Sequence, residues 1–136
     1  MGLLVNGSVS GQRGCWFYFQ PASKNLSLAN DAGDGRSTVA QETAGYVSNV
    51  SNNQCAILGT SINADVFGGN AALTITVTFS QQSFTGTKNL HAYTQSNENL
   101  STGYQLEGTW TVPRVAIRRR LGNGVAVGTA LPEELR

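Results

Sequence analysis

The sequence predicts an all-β fold, an antiparallel sandwich or barrel, and three observations carry this prediction. Apolar and polar residues alternate strictly from Leu73 to Ser80, which is typical of a half-buried strand. Residues that favour strands (Thr, Val, Ile and the aromatics) are interrupted at short intervals by Gly- and Asn-rich turns. No helical period of convincing length occurs before residue 113.

The predicted strands, in chain order, lie at 15–19, 26–28, one short stretch within 36–54, 55–58 continuing through 61–66, 73–80, 88–93 and 104–112. The turns and loops between them are rich in Gly, Asn, Ser or Pro and lie at 21–25, 30–35, 68–70 and 96–99. In the last strand one face, taken as inward, carries Tyr104, Leu106, Trp110 and Val112. Pro113 then ends the strand.

Composition excludes several classes of protein. The charged fraction is 12% and the net charge is +1, so nucleic acid is not an expected partner. No apolar run approaches the roughly 20 residues that span a bilayer, so no transmembrane segment is expected. The apolar stretch at 3–5 is too short for the core of a signal peptide. An export signal would therefore lie upstream or have been removed.

The chain divides by charge into a body at 1–113, predicted to be the sandwich domain, and an Arg-rich tail at 114–136. The body has four basic and six acidic residues, a net of −2, whereas the tail has five arginines and two glutamates, a net of +3. The tail is either a hairpin turned at Gly122-Asn123-Gly124 or a disordered extension. Its arginine cluster (Arg114 and 118–120) would suit an anionic polymer, but a solvated tail explains it better.

Several segments together resemble a known family. They are Cys15 with Tyr18, LSLANDAG at 26–33, NQC at 53–55, LTITVTF at 73–79, FTGTKN at 84–89 and GTWTVP at 108–113. Over about residues 3–113 the chain is similar to an Ig-like β-sandwich module of large secreted bacterial proteins, often found near their C-termini. The resemblance implies an antiparallel Ig-like sandwich, an extracellular or cell-surface location and a Cys15–Cys55 disulfide. It implies no defined ligand.

Two departures from the family pattern concern the ends of the chain. Family members usually have a further strand and an acidic turn before the segment matching LLVN at 3–6. We therefore expect one edge strand to be missing. The tail at 114–136 matches nothing in the family, so the domain is a fragment, is permuted, or is completed by another segment.

Cys15 and Cys55 are the only cysteines. An even count in a sequence of export-like composition favours a disulfide, and two buried free thiols are the alternative. Two cysteines without nearby histidines do not make a structural zinc site, so no cofactor is expected.

Asp31 and Asp34 lie in a loop that weakly suggests a calcium site. The EF-hand pattern fails there, because Ala32 and Gln41 occupy two ligand positions, and a plain turn is favoured.

Four residues form a candidate ligand platform: Trp16, Tyr18, His91 and Tyr93. The alternation of β-strands turns Trp16 and Tyr18 outward if Cys15 faces inward. His91, the only histidine, is expected on the solvated side. Exposed aromatic rings can stack on sugars, which would make the domain a carbohydrate-binding module. The favoured alternative is that the tail, a loop or a neighbouring domain covers them.

The sequence therefore favours a non-catalytic structural or adhesive module whose partners are neighbouring domains or subunits of an extracellular assembly. The missing strand would be supplied by the tail, from 115–117 or 125–127, or by a neighbouring subunit. No acid pair, metal cluster, phosphate loop or nucleophile elbow indicates an enzyme.

Overall fold

The computed structural model of the chain describes residues 1–41, 45–46, 48–119 and 126–129. Apart from one 3-10 turn at Gly59–Ser61, its regular structure is antiparallel β. The strands are β1 Gly2–Asn6, β2 Cys15–Gln20, β3 Asn25–Ala29, β4 Arg36–Val39, β5 Val50–Ser51, β6 Cys55–Ile57, β7 Asn63–Phe67, β8 Asn70–Thr74, β9 Val77–Phe79, β10 Gly86–Tyr93, β11 Gln105–Val112, β12 Ala116–Arg119 and β13 Ala126–Thr129. The predicted all-β fold is confirmed.

Two sheets of unequal size make up the sandwich. The larger has the strand order β11-β10-β1-β2-β3-β4, and the smaller has the order β5-β6-β9. Two further hairpins, β7 with β8 and β12 with β13, stand as separate two-stranded sheets. The antiparallel, Ig-like sandwich architecture and its single disulfide are as predicted.

The core lies between the two sheets and is filled by alternate side chains of each strand. In β2, Cys15, Phe17 and Phe19 are at most 2% exposed, whereas the residues between them are half-buried. Burial of these apolar side chains is the main favourable term in folding. The Cys15–Cys55 disulfide, with a Cα–Cα distance of 6.0 Å, ties β2 of the larger sheet to β6 of the smaller one and confirms the predicted pairing.

The first strand is central rather than peripheral. β1 pairs with β10 on one side and with β2 on the other, so its own edges are both occupied. The edges of the larger sheet are β4 and β11, and those of the smaller sheet are β5 and β9. β4 and β5 are neighbours at one side of the sandwich. Any open edge therefore lies at the other side, at β9 and β11.

The predicted strand at 73–80 is in fact two strands. β8 turns back on β7 through Gly68 and Gly69, which both have positive φ, as a tight hairpin turn requires. The chain then leaves the ladder, because the Thr76 N–H donates to the Ser61 hydroxyl oxygen at 3.1 Å. The 3-10 turn likewise separates β6 from β7, which were predicted to be continuous. The alternation itself is confirmed: the apolar residues Leu73, Ile75, Val77 and Phe79 pack partly buried against the core.

The inward face predicted for the last strand is correct only for its second half. The β10–β11 ladder shifts register between Leu90 and His91, which face Gly108 and Leu106, so Glu107 is an extra residue on β11. One inserted residue reverses the alternation of side chains. Val112 and Trp110 consequently face the core, whereas Leu106 is 61% exposed. Tyr104 contacts aromatic rings on the outer face.

The tail strands pair with each other, from Ala116 opposite Thr129 to Arg119 opposite Ala126. The turn predicted at Gly122-Asn123-Gly124 lies outside the described residues. No helix in the described part of the chain is long and apolar enough to cross a membrane.

Candidate functional site

The outer face of the larger sheet carries an aromatic cluster, consisting of Trp16, Tyr18, Tyr93, Tyr104 and Arg36. Tyr93 and Tyr104 stack with ring centroids 5.3 Å apart, and Trp16 meets Tyr104 edge-on at 6.4 Å. β2 and β11 are three strand spacings apart, about 14 Å. The rings of Trp16 and Tyr104 must therefore lean toward each other over β1 and β10.

These rings cover a second apolar layer, separate from the main core. Leu4 lies between Trp16 and His91 in the ladder and is 2% exposed, although it faces away from the sandwich interior. His91 faces the predicted side, opposite Leu4 in the ladder, but it is 7% exposed. The solvent exposure expected from alternation is therefore wrong, and a buried imidazole has little surface to offer a ligand.

Arg36 supplies the positive charge of the aromatic cluster. Its guanidinium carbon lies 4.6 Å from the Trp16 ring centroid and 4.9 Å from that of Tyr18, in cation–π geometry. Burial raises the pKa of Tyr104, and the nearby charge of Arg36 partly opposes this. The buried Trp16 Nε1 has no hydrogen-bond partner among the described residues.

The Trp16 ring is also covered by the loop between β1 and β2. A Cβ placed on Gly11 would lie only 2.6 Å from Trp16 Cε3, so the loop backbone passes directly against the ring. With Arg36 on one side and this loop on another, Trp16 has little free ring surface. The sequence left two alternatives for Trp16, an exposed ligand platform or coverage by other parts of the protein. Coverage, here by a loop, is what the structure shows.

An open neutral cleft of about 950 Å³ lies beside the aromatic cluster. It is bounded by the end of β2, the tip of the β7–β8 hairpin and the loop after β10. Tyr18 belongs to its lining, together with amide side chains that include Gln20, Asn70, Gln95 and Asn97. Among the described residues this lining contains no ionised side chain, and in this sense the cleft is called neutral. The α-ammonium of Met1, which also lines it, donates to the Phe19 carbonyl at 2.9 Å. Of the four residues predicted to form a ligand platform, Tyr18 is the one that lines this cleft.

No protein-family model matches the chain, and no curated protein or solved structure matches it. Its function must therefore be inferred from the geometry of its own residues.

The acidic loop tested as a calcium site uses its carboxylates for internal hydrogen bonds. Both oxygens of Asp31 accept from Asn53, at 2.9 Å from the backbone N–H and 2.7 Å from the side-chain amide. Asp34 accepts from Asn30 at 2.9 Å. No group of three His, Cys, Asp or Glu side chains able to hold a metal occurs in the described residues. The two carboxylates stabilise the loop and its contact with the turn before Cys55.

The last feature is an open seam, defined as the free edge of β9 together with the inward faces of β10 and β11. The Ser80 N–H donates to the Gln54 carbonyl at 2.8 Å, which makes that pair a hydrogen-bonded one. Because such pairs alternate in an antiparallel ladder, the backbone groups of Val77 and Phe79 point away from β6. No described strand pairs with that edge.

The inward faces of the seam are only partly covered. Leu90 on β10 and Trp110 on β11 are partly buried, and the buried Trp110 Nε1 has no hydrogen-bond partner among the described residues. Among the described strands, the smaller sheet has three and the larger one six, so the smaller sheet is too narrow to cover the whole inner face of the larger one. Because β5 lies beside β4, the less covered side is the one with β10 and β11.

Sequence reasoning missed Arg36 and Tyr104. Arg36 reaches the cluster across β3, from a strand that was predicted only as a short stretch within a long loop. Tyr104 was assigned to the wrong face because of the bulge at Glu107. A signal for the bulge was available, since glycine inside a strand, here Gly108, often marks one.

Proposed function

We propose that this domain is a non-catalytic structural module of an extracellular assembly, and that two copies associate by pairing their β9 edges at the open seam. The observation that carries the proposal is the free edge of β9, whose Val77 and Phe79 backbone groups point outward. A row of unpaired N–H and C=O groups is a template for another strand.

The pairing we propose is antiparallel about a two-fold axis, so that Val77 of one copy lies opposite Phe79 of the other. Thr78 then lies opposite itself on the axis. This register brings together the residues whose backbone groups point outward, so both pairs become hydrogen-bonded. It also extends the smaller sheet over the side where Leu90 and Trp110 are only partly buried.

The tail of the same chain is the competing occupant of the seam. In the described residues, β12 and β13 pair with each other and neither pairs with β9. The described tail strands thus leave the edge of β9 open to a second copy.

An extracellular setting is supported by the disulfide, which fits a non-reducing compartment. The family resemblance over residues 3–113 points to the same setting. Charged residues make up only 12% of the chain, so repulsion between the charges of two copies does little to prevent their association.

Sedimentation equilibrium over a range of protein concentrations tests this function. The wild-type chain should form dimers, and Val77→Pro, which removes an outward N–H at an edge strand, should be monomeric. It should also lower the melting temperature somewhat, because the Val77 side chain packs partly buried against the core. Thr78→Lys should also be monomeric, because it places two like charges opposite each other on the axis. Thr74→Lys, an exposed substitution on β8, is the matched control and should remain dimeric.

A wild-type protein that stays monomeric at every concentration would contradict the proposal, as would a dimer that persists in Val77→Pro. If deletion of 114–136 is needed before dimers form, the tail rather than a second copy fills the seam, and the proposal is wrong in its choice of occupant.

A further inference from the structure

The chemistry of the neutral cleft indicates a ligand that has hydroxyl groups but no charge. Gln20, Asn70 and Asn97 present exposed amide groups to it, each able to donate and accept hydrogen bonds. The lining includes no carboxylate, guanidinium or lysine ammonium among its described side chains. The α-ammonium of Met1 also lies in the lining, and it donates to the Phe19 carbonyl at 2.9 Å. An anionic polymer or a charged peptide would therefore find no charged side chain to pair with there.

One wall of the cleft is an aromatic ring held firmly in place. Tyr18 lies on the central strand β2, and Arg36 contacts it at 4.9 Å. Arg36 does not line the cleft, so it contacts the Tyr18 ring from outside it. Rings fixed in this way offer an apolar surface at low entropic cost, on which the C–H face of a sugar can pack.

The opposite wall is tied to the same aromatic cluster. The Tyr93 hydroxyl donates to Gln95 Oε1 at 2.5 Å, and Gln95 Nε2 donates to Asn99 Oδ1 at 3.1 Å. The loop after β10 is therefore anchored to a ring that stacks on Tyr104. A binding wall that is ordered before the ligand arrives loses less conformational freedom on binding.

We propose that the neutral cleft binds a neutral oligosaccharide, with Tyr18 as the stacking surface and Gln20, Asn70 and Asn97 as the hydrogen-bonding groups. A volume of about 950 Å³ is at the upper end for small-ligand sites. The open shape suits a run of several sugar units better than one enclosed sugar. The site is distinct from the open seam, so this inference does not rest on the proposed dimer.

Isothermal titration calorimetry with defined hexasaccharides tests the inference. Cellohexaose, maltohexaose and mannohexaose are the neutral probes, and hexagalacturonate is the acidic one. At least one neutral probe should bind at concentrations up to about 10 mM, and the acidic probe should bind more weakly. Tyr18→Leu should weaken binding about tenfold, since stacking on an aromatic ring is worth about that factor.

Two exposed asparagines provide a matched pair. Asn97→Ala should weaken binding severalfold, whereas Asn63→Ala, on β7 outside the lining, should leave it unchanged. Circular dichroism shows whether each variant keeps its fold, and Val77→Pro should bind the sugar as the wild type does.

The inference would be overturned by no binding of any neutral probe, by binding that Tyr18→Leu and Asn97→Ala leave intact, or by preference for hexagalacturonate. Binding of an uncharged peptide without any neutral sugar would also overturn it.

Discussion

Removal of the Cys15–Cys55 disulfide should lower the free energy of unfolding by about 4 kcal/mol. The bridge joins residues 40 positions apart in sequence. In the chain-entropy model, closing a loop of that length removes about 13 cal/mol/K of entropy from the unfolded chain, which is about 4 kcal/mol at 25 °C. Domains of this size are stable by roughly 5–15 kcal/mol, so this loss is a large share of the total.

The assay is urea and thermal unfolding of the oxidised protein, the reduced protein and the Cys15→Ala/Cys55→Ala double variant. Reduction should lower the melting temperature by roughly 10–20 °C. The double variant should lose somewhat more than the reduced protein, because Cys15 and Cys55 are buried at 0% and 3% exposure and alanine leaves space behind.

The comparison of reduced and oxidised protein isolates the effect of the bond, since no atom other than hydrogen is added. If the reduced protein unfolds within about 1 kcal/mol of the oxidised one, the unfolded chain must already be restricted across residues 15–55. That result would refute the entropic reasoning. A much larger loss would mean that the smaller sheet cannot form without the bridge.

Two further substitutions test the packing. Leu4→Ala should lower the free energy of unfolding, measured with urea, by about 2–5 kcal/mol, although Leu4 faces away from the main core. Leu106→Ala should change it by less than about 0.5 kcal/mol. Equal losses for the two variants would contradict the bulge at Glu107. Tyr46→Phe should lower stability by about 1 kcal/mol, because the Tyr46 hydroxyl donates to the Lys24 carbonyl at 2.7 Å. Burial raises the pKa of Tyr46, so the unfolded chain loses this proton first and wild-type stability falls as the pH rises above about 10. A stability profile measured from pH 8 to 11 should be flatter for Tyr46→Phe, and identical profiles would contradict this assignment.

The parts of the fold that sequence predicts well are those in which each residue follows from its neighbours. The alternation in β2 placed Phe17 and Phe19 inward and Trp16 and Tyr18 outward, because burial in a sandwich follows the two-residue repeat of the strand. The disulfide was predicted for a similar reason, since an export-like chain with two cysteines has only one pairing available.

The parts that sequence predicts poorly depend on contacts between distant segments. The Thr-rich strand breaks where Thr76 bonds to Ser61, fifteen residues earlier, and no local pattern contains that partner. His91 has the predicted orientation, but it is 7% exposed on a face that also carries Leu4, Trp16 and Tyr104. Neither the burial of His91 nor the place of Arg36 in the cluster follows from the residues adjacent to them.

The bulge at Glu107 gives the two proposals a common structural origin. Without the extra residue, the inner face of β11 would carry Tyr104, Leu106, Trp110 and Val112. Tyr104 could then not stack on Tyr93. Tyr93 in turn holds Gln95, which lines the neutral cleft. Beyond the bulge the same strand turns Trp110 inward, toward the partly covered side of the sandwich. A single irregularity in one edge strand therefore places Tyr104 on the outer face, where it supports the wall of the cleft, and Trp110 on the inner face, beside the open seam.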